Sequence, residues 1–176
     1  MLDNLNIFNK KKILIYGLGK SGLSVLQFLK KNNEITTHDD KKKAVSKKIT
    51  KIKFDYIIIS PGININKCKL SKFLKNNSKK IYTDLDIFYS HHKENNKITI
   101  TGTNGKSTTA KILYDVLKSQ KVDVRLVGNI GNPILLEKKV TNRTVFVIEA
   151  SSYQLEYSKL FKSNISIILN ISPDHL

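Results

Sequence analysis

The sequence predicts an α/β protein made of two units, each built on its own parallel sheet. Three observations carry this expectation. Apolar, β-branched runs of strand length alternate with helix-sized segments along the chain. Two of those runs lead at once into glycine-rich turns that open helical patterns, Gly17-Leu18-Gly19-Lys20-Ser21-Gly22 and Thr101-Gly102-Thr103-Asn104-Gly105-Lys106-Ser107-Thr108. Between them the polar run Lys93-Glu94-Asn95-Asn96-Lys97 marks a boundary, giving units of residues 1–93 and 97–176.

Lys12-Ile13-Leu14-Ile15-Tyr16 reads as a buried parallel strand. The helix after its glycine turn carries Leu23, Leu26 and Leu29 at helical spacing, beside Phe28. A second strand, Glu34 to His38, ends in Asp39-Asp40. Three glycines at a strand–helix turn and an acidic residue some twenty positions on form a dinucleotide-type fingerprint. The glycines let the backbone approach a diphosphate, and NAD(P) is the default ligand by pattern alone. A third strand, Asp55 to Ile59, runs into Ser60-Pro61-Gly62, and Lys80 to Thr83 is a fourth. A short helix follows from about Asp84. His91 and His92 fall at its solvated end, and no His or Cys spacing suits a metal.

In the second unit, Ile98-Thr99-Ile100 leads into the loop Gly102 to Thr108. Its helix places Ala110, Leu113 and Leu117 on one face, with Ile112 and Val116 beside them. Strand, glycine turn and helix N-terminus are what phosphate binding requires: close backbone approach and unpaired N–H groups. Lys106 would add a charge on the outer phosphates, and the Ser107 hydroxyl would ligate Mg²⁺. The loop is shorter than the common Walker spacing, because Ile100 stands where that pattern wants its first glycine. Three more strands, Val122–Val127, Thr144–Ile148 and Ile165–Leu169, each deliver polar residues at their carboxyl ends. Right-handed crossovers should make them parallel and gather those ends at one edge. Glu149 then sits where a Walker-B acid sits, as a Mg²⁺ candidate. His175 becomes a second-metal or phosphate contact, and Asn129 either holds its Gly-Asn-Ile-Gly turn or contacts phosphate or substrate.

Composition narrows the classes. A net charge of +17 would ordinarily suggest nucleic acid, but Arg125 and Arg143 are the only arginines and the lysines are spread throughout. No nucleic-acid partner is expected. The single cysteine, Cys68, cannot form an internal disulfide, which fits a reducing compartment. No apolar run approaches the roughly 18 residues of a membrane span, and Met1 to Lys12 lacks a signal-peptide core. A cytoplasmic protein without membrane contact is the expectation.

Taken in order, Gly-Leu-Gly-Lys-Ser-Gly, Ser-Pro-Gly, Thr-Gly-Thr-Asn-Gly-Lys-Ser-Thr, Gly-Asn-Ile-Gly, Glu-Ala-Ser-Ser-Tyr-Gln-Leu-Glu and Asn-Ile-Ser-Pro-Asp-His-Leu resemble the Mur ligase family. These are ATP-dependent amide-bond-forming enzymes of peptidoglycan precursor synthesis, and the likeness, spanning all 176 residues, is greatest to the D-glutamate-adding branch. The resemblance implies a Rossmann-like N-terminal domain followed by the first part of a P-loop-type ATP-binding domain. It reassigns the first glycine turn from NAD to the UDP of a sugar substrate. Gly17, Leu18, Gly19, Lys20, Ser21 and Gly22 would lie against the diphosphate, and Asp39, Asp40 and Gly62 near the uridine. Gly102 to Thr108 would bind ATP, with Mg²⁺ held by Ser107 or Thr108 and Glu149. Lys106 would stabilise the transferring phosphoryl group, Asn129 would contact substrate or phosphate, and His175 would ligate a second Mg²⁺. The implied chemistry is phosphorylation of the L-alanyl carboxylate of UDP-N-acetylmuramoyl-L-alanine, then attack by the amine of D-glutamate, in a full-length enzyme expected to be monomeric.

The resemblance also implies a longer protein, with a modified lysine and a C-terminal domain beyond the Asp-His-Leu motif. The chain therefore reads as a fragment, expected to be inactive alone. Competing readings are a non-catalytic UDP-sugar-binding module and the L-alanine-adding branch, whose usual loop has His where Asn104 stands. An NAD(P)-dependent oxidoreductase would leave the second unit unexplained.

Overall fold

The computed structural model describes residues 7–41 and 48–172. Strands β1 (Lys12–Tyr16), β2 (Glu34–His38), β3 (Tyr56–Ile59) and β4 (Ile81–Tyr82) form one sheet in the order β2-β1-β3-β4. Strands β5 (Asn96–Thr101), β6 (Val124–Gly128), β7 (Val145–Glu149) and β8 (Ile165–Ile168) form a second, ordered β6-β7-β5-β8. Every pairing is parallel. Helices α1 (Lys20–Leu29), α2 (Ser71–Asn76), α3 (Asp84–His91), α4 (Lys106–Ser119) and α5 (Ser152–Tyr157) complete the fold.

Side-chain alternation divides the core into layers. Ile13, Ile15 and Ile58 face a cluster shared with Val25, Leu29, Leu85 and Phe88. Leu14, Tyr16, Ile57 and Ile59 face the opposite side, where Leu70 and Leu74 cover them. In the second sheet Phe146 and Ile148 turn toward the shared cluster, while Val147 faces α4 with Ile100 and Ala110. Helices α1 and α3, with a 3-10 turn at Ile134–Leu136, thus lie between the sheets and serve both. Phe88 meets Phe146 edge-to-face, their ring centroids 4.8 Å apart.

A buried carboxylate fastens this middle layer. Asp86 Oδ1 accepts the backbone N–H groups of Lys159, Leu160 and Phe161 at 2.8, 2.7 and 3.2 Å. Its Oδ2 accepts Thr83 N–H at 2.9 Å, closing a capping box at the start of α3. Beside it, Gln154 Nε2 donates to the buried Asp84 at 2.9 Å. Burial raises the Asp84 carboxyl above the usual range, and the Gln154 bond opposes that rise.

Several expectations need correction. The fourth strand shortens to Ile81–Tyr82, because Lys80 closes a 3-10 turn and Thr83 caps α3. The sixth begins two residues late, at Val124. Leu23 is 52% exposed, and Val25 and Leu29 form the buried face of α1 instead. Ile112 and Val116 are exposed to a similar degree, and β8, an apolar run, exposes Ile165 and Ile168 at a sheet edge. The polar boundary run is only partly solvated: Asn95 and Lys97 are buried while Lys93, Glu94 and Asn96 are exposed. Lys97 is 2% exposed, and its ammonium donates to the carbonyls of His92, Lys93 and Asn95 just past α3. Asn95 Nδ2 donates to the carbonyls of Thr141 and Thr144 at 2.8 and 3.0 Å. His92 stacks on Phe88 and Phe146 rather than standing in water, and burial pushes its imidazole below the ordinary value.

Replacing Asp86 with Ala removes one acceptor from four backbone donors at once. Asp86→Ala should lower unfolding stability by about 3 kcal/mol, read as a fall in the urea midpoint, and Asp86→Asn should cost less.

Candidate functional site

Both glycine turns sit at the carboxyl edges of their sheets. In the first, Gly17 takes φ +90° and donates its N–H to His38 O at 2.8 Å. Ser60 Oγ donates to Gly17 O at 2.8 Å, tying the turn to the end of β3. A Cβ on Gly22 would lie 1.8 Å from that same carbonyl oxygen, so only glycine lets α1 start so close to β1. Asp39 does not stand open. Its Oδ2 accepts Leu18 N–H at 2.7 Å and its Oδ1 accepts Lys41 N–H at 2.9 Å. Those two bonds, Leu18 first, hold its carboxyl below the usual range. Asp40 accepts Tyr16 O–H at 2.5 Å and Lys69 N–H at 3.1 Å, with His38 Nε2 at 3.3 Å. Burial works against Asp40's charge, but these bonds outweigh it and lower its pKa, while burial and the Asp40 bond raise that of Tyr16.

These residues border a cleft of about 650 Å³. Of the residues expected at the diphosphate and uridine, Gly17, Gly19, Lys20, Ser21, Asp39, Asp40 and Gly62 line it. Leu18 and Gly22 do not: the Leu18 side chain packs on the shared core, and Gly22 is buried beneath the turn. The far wall comes from the second sheet, as Gly128, Asn129, Gly131 and Pro133. Asn129 therefore faces the first glycine turn across the cleft. Its N–H donates to Glu149 O at 3.0 Å, and a Cβ on Gly128 would lie 2.2 Å from that oxygen.

In the second turn Gly102 and Gly105 take φ +140° and +82°. Gly105 caps α4 without any side-chain bond, leaving the N–H groups of the first turn uncapped by a side chain. Ser107 Oγ donates to Glu149 Oε2 at 2.8 Å, across 42 residues of sequence. The register Ile100↔Glu149 between β5 and β7 places the carboxylate there, and Glu149 is 5% exposed. Lys106 Nζ bends back onto the carbonyls of Gly102 and Thr103 at 2.7 and 2.8 Å. Thr108 is exposed on the first turn of α4, and Asn104 at the loop apex. A second cavity, about 540 Å³, is bordered by Gly102, Thr103 and Lys106 and by Ser151, Tyr153, Glu156 and Asn170. His175 lies outside the described residues.

Sequence reasoning missed two anchors. The sequence gives no role to Ser60 beyond the Ser-Pro-Gly turn, or to Asn170 beyond the strand end that opens Asn-Ile-Ser-Pro-Asp-His-Leu. Yet Asn170 Oδ1 accepts the N–H groups of Thr103 and Asn104 at 3.1 and 2.9 Å. The signal available was position, since both stand at carboxyl ends of strands next to a glycine turn.

Two parallel sheets, each with a glycine turn at its carboxyl edge, and a carboxylate set against the first hydroxyl of the second turn's helix define a bipartite α/β protein with a strand–loop–helix of phosphate-loop shape. Residues 100–176 match the Mur ligase middle domain. The UDP-N-acetylmuramoylalanine–D-glutamate ligase of Rickettsia felis is 35% identical over 186 aligned positions, covering 98% of this chain and 41% of the relative. The ligase of the same name from Caldicellulosiruptor saccharolyticus is 36% identical, covering 94% and 41%. The crystal structure of UDP-N-acetylmuramate:L-alanyl-γ-D-glutamyl-meso-diaminopimelate ligase from Neisseria meningitides superposes with a TM-score of 0.54 at 15% identity. It covers 94% of this chain and 62% of that one, a likeness of fold. The chain belongs to the Mur ligase family. It spans 41% of the length of the curated relatives it matches. Among the described residues no helix is long and apolar enough to cross a membrane.

The Asp39 bonds make a pH prediction. Its folded pKa is depressed from 3.8, so the stability it contributes is present above that value and lost as pH falls through the folded pKa. The difference in Tm between wild type and Asp39→Asn should therefore be largest near about pH 6 and shrink toward about pH 3.

Proposed function

We propose that this chain forms the UDP-sugar-binding lobe (residues 1–93) and, over residues 97–176, part of the ATP-binding lobe of a ligase that joins D-glutamate to UDP-N-acetylmuramoyl-L-alanine. The activity is that of a protein of the relatives' full length. The observation that carries the reading is the contact of Ser107 with Glu149 at the start of α4, where strand register brings together a hydroxyl and a carboxylate distant in sequence. Support for the branch comes from relatives named for D-glutamate addition.

In this reading the N–H groups at the start of α4 receive the phosphates of ATP, and Lys106 exchanges its carbonyl partners for phosphate oxygens. The donors at Ser107 and Glu149 are hard oxygens that suit Mg²⁺, which takes one or two protein oxygens and leaves its other positions to phosphates and water. Among the described residues no cluster of three His, Cys, Asp or Glu forms a metal cage, consistent with that sparse mode of binding. Ser107 and Glu149, with Thr108 as the alternative hydroxyl, would hold the ion. Bound there, Mg²⁺ would neutralise phosphate charge during transfer. Across the cleft, Gly17, Gly19, Lys20 and Ser21 would hold the diphosphate of the sugar substrate, with Asp40 and Gly62 toward the nucleoside. Asp39 acts through Leu18, shaping the turn. Asn129, on the far wall, would meet the substrate between the two lobes. His175 is proposed as a further Mg²⁺ ligand on family resemblance alone.

The experiment is binding and turnover. UDP-N-acetylmuramoyl-L-alanine should protect the amides of Gly17 to Gly22 from exchange, and NADH should not; tight NADH binding without UDP-sugar binding would reverse the assignment. In the full-length enzyme Lys106→Ala should lower kcat by about 100- to 1,000-fold while UDP-sugar affinity stays within about twofold. Unchanged turnover would sink the ligase reading of this loop.

A further inference from the structure

We infer that Asn170 is a positioning residue for the loop between β5 and α4, pinning its apex so that the first turn of α4 stays presented to phosphate. This rests on the phosphate-loop reading above. The Asn170 carboxamide pairs with the apex as a second peptide group would. Its Oδ1 accepts Thr103 and Asn104 N–H, and its Nδ2 donates to Asn104 O at 3.0 Å. Only Asn and Gln side chains carry both a carbonyl oxygen and an N–H donor in one plane. The backbone on either side adds to the clamp. Thr103 N–H also reaches Asn170 O at 3.1 Å, and Thr103 Oγ1 exchanges hydrogen bonds with the Ser172 backbone at 3.1 and 3.2 Å.

The pin matters because of what holds the loop otherwise. Lys106 Nζ is bonded to the carbonyls of Gly102 and Thr103, so the lysine itself now braces the turn from inside. An ammonium that moves to a phosphate must leave those carbonyls. The loop would then lose its internal brace, with glycines at positive φ on both sides of the apex and much backbone freedom to regain. Asn170 holds the apex from the β8 side, independently of where Lys106 points. It also commits the N–H groups of Thr103 and Asn104, so the anion is left to the N–H groups of α4. Pre-ordering of this kind appears as affinity, because the ordering cost is met before the ligand binds.

The test compares wild type, Asn170→Ala and Asn170→Asp by amide exchange in the free protein and by MgATP affinity. Asn170→Ala should speed exchange at Asn104 by about tenfold, and less at Thr103, which keeps its bond to the Asn170 main-chain carbonyl, and weaken MgATP by about tenfold, with the amides of β5 and β7 unchanged. Asn170→Asp keeps the acceptor and should restore exchange to within about twofold of wild type. It lacks the donor and adds negative charge, so MgATP should still bind more weakly, most of all at low salt. Unaltered exchange at Thr103 and Asn104 in the alanine variant overturns the inference. So does equal MgATP affinity of wild type and Asn170→Ala. If exchange responds but wild type binds no MgATP, the phosphate-loop reading itself fails, and the positioning role falls with it.

Discussion

The joint between the two units rests on a buried carboxylate accepting hydrogen bonds from segments more than 70 residues apart in sequence. Asp86 belongs to α3, yet three of its four donors come from the turn after α5. A carboxylate taken out of water is costly unless its lone pairs are filled. Here they are filled by backbone N–H groups, which cannot rotate away as a lysine side chain can. The clamp therefore fixes direction as well as distance. The Thr83 hydroxyl lies 2.6 Å from that of Ser158, and Gln154 reaches Asp84, so the first turn of α3 is joined to α5 and to the turn after it.

Strand order then determines what flanks each turn. In the second sheet β5 lies between β7 and β8. The loop leaving β5 accordingly has Glu149 on one side, at the end of β7, and Asn170 on the other, just past the end of β8. One neighbour supplies a carboxyl oxygen to the helix's first hydroxyl, and the other supplies an amide to the loop's peptide groups. A chain with β5 at the edge would offer only one of these. The first sheet repeats the logic: β1 lies between β2 and β3, and its turn is held by Asp39 from one side and Ser60 from the other.

Much of this was legible in the sequence, for a physical reason. Strands ending in glycine or polar residues punctuate the chain locally, so Gly17, Gly102 and Glu149 could be placed at sheet edges from pattern alone. The proximity of Glu149 to Ser107 followed from parallel crossovers, which are handed and short. What was not legible depends on partners remote in sequence or on which side of an element is covered. Nothing local marks Asp86 beyond its place near the start of a helix, because three of its four partners lie 73 to 75 residues away. Leu23 shares helical spacing with Leu26, and nothing local says that Val25 takes the buried side. Ile168 in an apolar run reads as core until its strand proves to be an edge, where it is 63% exposed.

Lysine illustrates the limit of composition most directly. The chain is rich in it, and abundance argues that each one is ordinary solvated charge. Two are not. Lys97 and Lys106 both bring an ammonium onto backbone carbonyls, three in one case and two in the other. Lys97 is enclosed, and desolvation pulls its pKa down, so its donors have nowhere else to go and it acts as a fixed cap on the end of α3. Lys106 borders an open cavity beside the uncapped first turn of α4. An anion arriving there offers better acceptors than peptide carbonyls. The same chemistry is enclosed at one position and borders a cavity at the other, and the difference lies in access.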